Sequence, residues 1–209
     1  MAIDELQSRW QRAWAMVATA HKGQAVFASL IARYAEPHRA YHNLDHIRDC
    51  LRWLDWASRI VEQVEITELA IWFHDAFYDP RRNDNEERSA EWAERALRDN
   101  GAPAGVVERV GRFIRLTTHR EEGLSGDAAV LCDCDLAILG AEAARFNAYD
   151  SAIRLEYRWV PEDVFRRERG RVLMSFLARP RVYHTDFFRE RLEEPARANL
   201  RRALARYSS

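Results

Sequence analysis

The chain has 209 residues, 47% of them apolar and 31% charged, with a formal net charge of −1. A chain of this size and mixture buries roughly 70% of its unfolded surface and needs no staple to fold. The charge offers no bulk surface for nucleic acid, and no stretch approaches the ~20 uninterrupted apolar residues of a membrane span.

The three cysteines are Cys50, Cys132 and Cys134. An odd number, behind an N-terminus "MAIDELQSRW" with no apolar leader, predicts a reduced, cytoplasmic protein. Cys132 and Cys134 are too few for a zinc ribbon and read as buried apolar filler. Arginine vastly outnumbers lysine, Lys22 being the only one.

The periodicity is helical nearly throughout. Leu6, Trp10, Trp14 and Val17 recur every three to four residues, as do Val26, Phe27, Leu30, Ile31 and Tyr34. A third helix starts at Asn43, a good N-cap, and runs toward Val61. The next spans about Ile66 to Phe77, closed by Pro80 and the polar loop "DPRRNDN". "EERSAEWAERALRDNG" opens with acids and ends at Gly101, a predicted helix stop. Val106, Val107, Val110, Phe113 and Ile114 mark a helix ending near His119. After the loop "REEGLSGD", residues 127 to 140 form a helix apolar on all sides, hence buried. Long helices are predicted at 142–158 and 162–178. Pro195 suits the first position of the last one. No run alternates as a strand does, and no linker is visible. The expected fold is one all-α domain over residues 1–209.

Several polar residues sit in these apolar helices. "RAYHNLDHIRD" places His42 and His46 one turn apart. "IWFHDAFYD" sets His74 beside Asp75. Asp133 and Asp135 lie within "VLCDCDLAIL". Burying an ionised carboxylate alone is very unfavourable, so these acids need partners. Imidazole nitrogens and carboxylate oxygens are the ligands of hard or borderline divalent metals, and one shared ion would compensate both acids. Each residue also has an ordinary explanation: a satisfied core histidine, a helix cap, or an acid paired with an arginine. Jointly those explanations are weaker, because the order His…His-Asp…Asp falls in three helices of one domain.

That order resembles the H…HD…D signature of the HD superfamily of metal-dependent phosphohydrolases, over roughly residues 36 to 140. "YHNLDH" is similar to the YHNxxH segment of cyclic-nucleotide phosphodiesterases, distant members of that superfamily. "HDAFYD", "DNEERSA" and "EEPARANL" look like a bacterial group of HD phosphohydrolases without an assigned substrate. The resemblance implies an all-helical HD-type domain at about 36–140 with a helical extension at 141–209. It implies a divalent metal (Mn, Fe, Zn, Mg or Ni) held by His46, His74, Asp75 and Asp135, with Asp133 as the substitute for Asp135. It further implies that Asp75 orients an attacking water and that His42 protonates the leaving group of a small phosphorylated substrate. One departure stands out: binuclear members carry further histidines after the HD pair, and "NDNEERSA" has none. Either one metal is held, or Glu86 or Glu87 and His119 complete a second site. His119, Arg115 and Glu86 are the substrate-side candidates, with Arg120 as a further phosphate binder. Tyr183, His184, Glu194, Arg197 and Asn199 are either structural or close the pocket. A non-catalytic metal- and nucleotide-binding sensor, or a plain helical scaffold, are the competing functions.

Overall fold

The computed structural model describes residues 2–18 and 23–207, and among these every regular element is helical. The helices are α1 (Ile3–Val17), α2 (Gly23–Tyr34), α3 (Leu44–Ala57), α4 (Val64–Phe73), α5 (Asn85–Asp99), α6 (Ala104–Leu116), α7 (Gly126–Leu136), α8 (Ala143–Glu156), α9 (Glu162–Leu177) and α10 (Asp186–Tyr207). No helix of the described residues is long and apolar enough to cross a membrane.

Two helices form the centre. Every residue from Ile66 to Phe73 of α4 is buried, and α7 is buried from Ala128 to Cys134. Around α4 pack α1, α3 and α6, and α7 packs against α3. The apolar stripe of α1 meets α2 and α4 through aromatic rings: Trp10 lies 5.8 Å from Trp72 and 6.1 Å from Phe27. Aromatic pairs at such spacings add to the area that they bury. Two polar contacts cross this core. Tyr34 donates to the Trp72 carbonyl at 2.9 Å, and Arg9 holds Glu68 at 2.9 Å. All three cysteines are buried and free.

The ends of the helices follow local chemistry. The Asn43 side chain accepts the Asp45 N–H at 2.8 Å and starts α3. Gly101, with φ of 79°, stops α5 by sending its N–H to the Arg98 carbonyl, while Ala102 bonds to Leu97. Asp127 accepts the N–H groups of Glu62 and Gln63 at 2.8 and 2.9 Å, which anchors the approach to α4.

Four boundaries depart from the sequence expectation, the first being α7, which ends at Leu136 and gives way to a tighter turn over Ala137–Gly140. The α3 helix ends at Ala57 and gives way to one tighter turn, Ser58–Ile60. The α4 helix ends at Phe73 rather than Phe77. Beyond it the carbonyls of Asp75 and Ala76 turn toward Arg39, which donates to them at 2.6 and 3.1 Å. Pro195 lies inside α10, not at its start. Phe188, Leu192, Ala196, Leu200 and Ala203 form one buried stripe through that point, and Pro195 itself is exposed. Burying the stripe outweighs the ~3 kcal/mol cost of an interior proline.

Candidate metal centre and cavity

His46 sits in the first turn of α3, His74 and Asp75 follow the last residue of α4, and Asp135 lies in the last turn of α7. The core packing of α3, α4 and α7 therefore brings all four together. His46 Nε2 lies 3.1 Å from His74 Nε2. It lies 3.5 Å from an Asp75 oxygen and 3.1 Å from an Asp135 oxygen. His74 Nε2 lies 3.1 Å from the same Asp75 oxygen and 3.5 Å from the same Asp135 oxygen. Ligands bound at about 2.1 Å in tetrahedral or octahedral order stand roughly 3.0–3.4 Å apart. Five separations of 3.1–3.5 Å among two imidazole nitrogens and two carboxylate oxygens have the spacing of metal ligands, and His46, His74 and Asp75 form one group that could hold an ion.

The atoms behind these donors fix their direction. His74 Nδ1 donates to the Ile71 carbonyl at 2.8 Å, which leaves Nε2 as the free lone pair. The second oxygen of Asp135 accepts from His119 Nε2 at 2.7 Å. Cys50 adds a thiol 3.7 Å from His46 Nε2 and forms a second candidate cluster with His46 and Asp135. Burial, then the Asp135 carboxylate and the neighbouring Cys134 thiol, push the Cys50 thiol well up, so without a metal it stays protonated.

Charges in the cluster are mutually dependent. Burial disfavours the cationic form of His74, but Asp75 and Asp135 reverse this and raise it well above its usual range. Burial likewise acts against both aspartates, and the histidines win. His74 and His42 pull Asp75 far below the carboxylate range, and His74, His119 and His46 do the same to Asp135. The cluster holds two carboxylates in ionised form, as a metal requires.

Asp133 faces elsewhere. Two helical residues apart means about 200° of rotation. Its oxygens accept the N–H groups of His184 and Thr185 and the Thr185 hydroxyl, at 2.7–2.8 Å. Burial pushes its carboxyl up to about 6 against those three donors.

A cavity of about 420 Å³ opens beside the cluster, lined by His42, Asp75, Asp135, His119, Glu86 and Arg120 among others. His42 donates from Nδ1 to Glu156 at 2.7 Å and stacks on Tyr78 at 4.1 Å. Burial lowers the His42 pKa, but Asp75 and Glu156 raise it overall. The Glu156 carboxylate is fully enclosed. It also accepts the Tyr78 hydroxyl at 2.7 Å and the backbone N–H groups of Tyr41 and His42 at 2.7 and 3.0 Å.

Arg115 does not reach this cavity. Its guanidinium forks onto Glu87 at 2.7 and 2.9 Å and also bonds Glu94. That ties α5 to α6 and occupies Glu87 too. The tail residues are structural. Tyr183 donates to the Leu136 carbonyl, Asn199 to Leu139 and Ala141, and Arg197 to Leu177, Arg179 and Pro180. His184 gives its N–H to Asp133, and Glu194 is exposed.

Two residues of the site escape the sequence reading. Arg39, 6% exposed, ties the His42 carbonyl to those of Asp75 and Ala76. Glu156 orients His42 from the far end of α8. An acid in the last turn of a helix opposes the helix dipole, and that is the one signal the sequence offers for it. Compared with family models, with curated proteins and with solved structures, the chain matches none of them.

Proposed function

We propose that the protein is a metal-dependent hydrolase acting on a phosphate ester of a nucleotide or another small phosphorylated metabolite. One observation carries this reading: a four-donor cluster suited to a divalent ion opens on a cavity that also presents a buried, carboxylate-backed histidine. A divalent ion at that cluster supplies Lewis acidity for a phosphoryl oxygen and for a nucleophilic water. His46, His74, Asp75 and Asp135 would hold it. Asp75 lies on both the cluster and the cavity wall, where it would orient the attacking water. Glu156 fixes the tautomer of His42 with the proton on Nδ1, which leaves Nε2 to exchange a proton with the leaving group. His119 holds Asp135 in place. Glu86 and Arg120 are further polar groups of the wall.

The test is elemental analysis of the purified protein, followed by a screen of phosphate esters with Mn, Fe, Zn, Mg and Ni. About one ion per chain and turnover of at least one ester are expected. Metal without turnover of any ester would favour a sensor. No metal binding would sink both.

A further inference from the structure

We propose that a basic cavity beside Tyr78 is a second binding site, and that it takes a small organic phosphate, the phosphate on its arginines and an apolar or aromatic group on its exposed tryptophan. This goes beyond the hydrolase reading and does not rest on it.

The second cavity, of about 560 Å³, adjoins the first, with Tyr78 in the wall of both. None of His46, His74, Asp75 and Asp135 lines it. Four arginines do: Arg33 of α2, Arg81 of the loop after α4, Arg88 of α5 and Arg158 just past α8. Arg33 and Arg88 are half-buried, and Arg81 and Arg158 are exposed. The Arg33 guanidinium lies 3.8 Å from the centre of the Phe77 ring, and that of Arg88 lies 4.5 Å from the same centre. Their central carbons are therefore no more than about 8 Å apart. One phosphate reaches both, since its oxygens take charge-assisted hydrogen bonds of about 2.8 Å.

The acids of the protein do not answer this charge. Among the described residues, Arg81, Arg88 and Arg158 form no ion pair. Arg33 has only Glu36, at 3.9 Å. Three acids share the wall. Glu36 is held by Arg39 at 3.0 Å. Glu156 has no exposed side-chain surface and is spent on His42 and Tyr78. That leaves Asp79, which accepts the Arg81 N–H at 3.0 Å, to face four guanidinium groups. Burial lowers the Arg33 pKa, Glu36 opposes it, and the charges of Arg39 and Arg88 lower it further. A bound phosphate dianion removes that repulsion.

The rings select the rest of the ligand. Arg81 lies 5.3 Å over the Trp159 ring, as Arg33 and Arg88 lie over Phe77. Cations are attracted to ring faces, which keeps these arginines at the wall rather than spread into solvent. Their planar forks match phosphate oxygens. Trp159 is 48% exposed, a large apolar surface beside the charges. A bare phosphate leaves that surface uncovered; an organic phosphate covers it.

Phenylphosphonate is the probe, because its phosphorus–carbon bond resists hydrolysis. Calorimetry on the 209-residue chain, in dilute buffer without phosphate or added metal, should show one site that binds it more tightly than inorganic phosphate. Arg88→Gln combined with Arg158→Gln, checked for helicity, should weaken binding by about tenfold or more. Arg12→Gln combined with Arg112→Gln removes the same charge from exposed positions outside both cavities and should leave binding unchanged. The His74→Ala, Asp75→Ala variant should also bind as the wild type does. Equal losses from the two arginine pairs would reduce the effect to general surface charge and overturn the site. Loss of binding in the His74→Ala, Asp75→Ala variant would move the anion to the cluster and overturn it too, as would inorganic phosphate binding as tightly as phenylphosphonate. Site-specific phenylphosphonate binding in a protein that hydrolyses no ester would keep this site and remove only the hydrolase.

Discussion

The Nε2 atoms of His46 and His74 face each other at 3.1 Å, each with a carboxylate oxygen at the same distance. Two lone pairs cannot meet this way without a proton or a cation between them. Asp75 and Asp135 raise His74 well above its ordinary value, so a proton occupies that place until a metal displaces it. Metal affinity should therefore fall as pH drops, and the gain on raising pH should extend past the ordinary histidine value of about 6.5. At one hundred times the dissociation constant, metal should stabilise the fold by about 2.7 kcal/mol. For a domain of this size that is roughly 5–10 °C in melting temperature. Calorimetry with Mn or Zn at pH 6 and pH 8 checks both points. A His74→Ala, Asp75→Ala double variant should stay helical and show no shift; an unchanged shift would put the metal elsewhere.

Asp133 and Asp135 predict opposite phenotypes. Asp135→Asn should lose metal and activity. Asp133→Asn should keep its metal but weaken the turn at His184 and Thr185, at a cost of about 1–2 kcal/mol. Metal content and thermal unfolding of the two variants decide this. The reverse ranking would show that the wrong carboxylate has been assigned to the cluster.

His42 should behave as an acid backed by Glu156. A positioned acid contributes roughly 10²- to 10⁴-fold when the leaving group is a poor one. His42→Ala should retain metal, lose that factor on an alkyl or nucleoside phosphate, and lose much less on a nitrophenyl ester. Glu156→Gln should lose roughly tenfold in the same pattern and move the alkaline limb of kcat to lower pH, because Glu156 helps to raise His42. Equal losses on both esters, with metal and binding intact, would exclude the role.

Acid should unfold the protein partly through Glu156. Burial raises its carboxyl, but the hydrogen bond and charge of His42 and two backbone N–H groups bring it down to about 2, from an ordinary 4.5. A depressed acid stabilises the fold above its unfolded value, and the contribution drains away as pH falls from about 4.5 toward 2. The loss is on the order of 3 kcal/mol. Between pH 5 and pH 3 the melting temperature of Glu156→Gln should drop less than that of the wild type. Parallel curves would mean that the pair adds nothing to stability.

The helices were legible because each carries a 3.6-residue apolar stripe or, like α7, is apolar all round. Asn43 and Gly101 could also be placed, since caps are local rules; the rotation of about 200° says only that Asp133 and Asp135 face apart, not which of them meets the histidines. Arg39 and Glu156 could not: they act through partners 36 and 114 residues away, and in the sequence each resembles an ordinary surface charge. Arg115 misled for the complementary reason: in a chain so rich in arginine, most serve neighbouring acids. Pro195 shows a local rule overridden by a continuous buried stripe.

The two central helices also end at the same point. His74 caps the C-terminus of α4, and Asp135 lies in the last turn of α7. Each helix end directs about half a negative charge there, beside two ionised carboxylates, and the starts of α3 and α5 oppose them. A cation at that corner would offset this charge, so under the proposed function metal and phosphate should each tighten the hold on the other, by reciprocity.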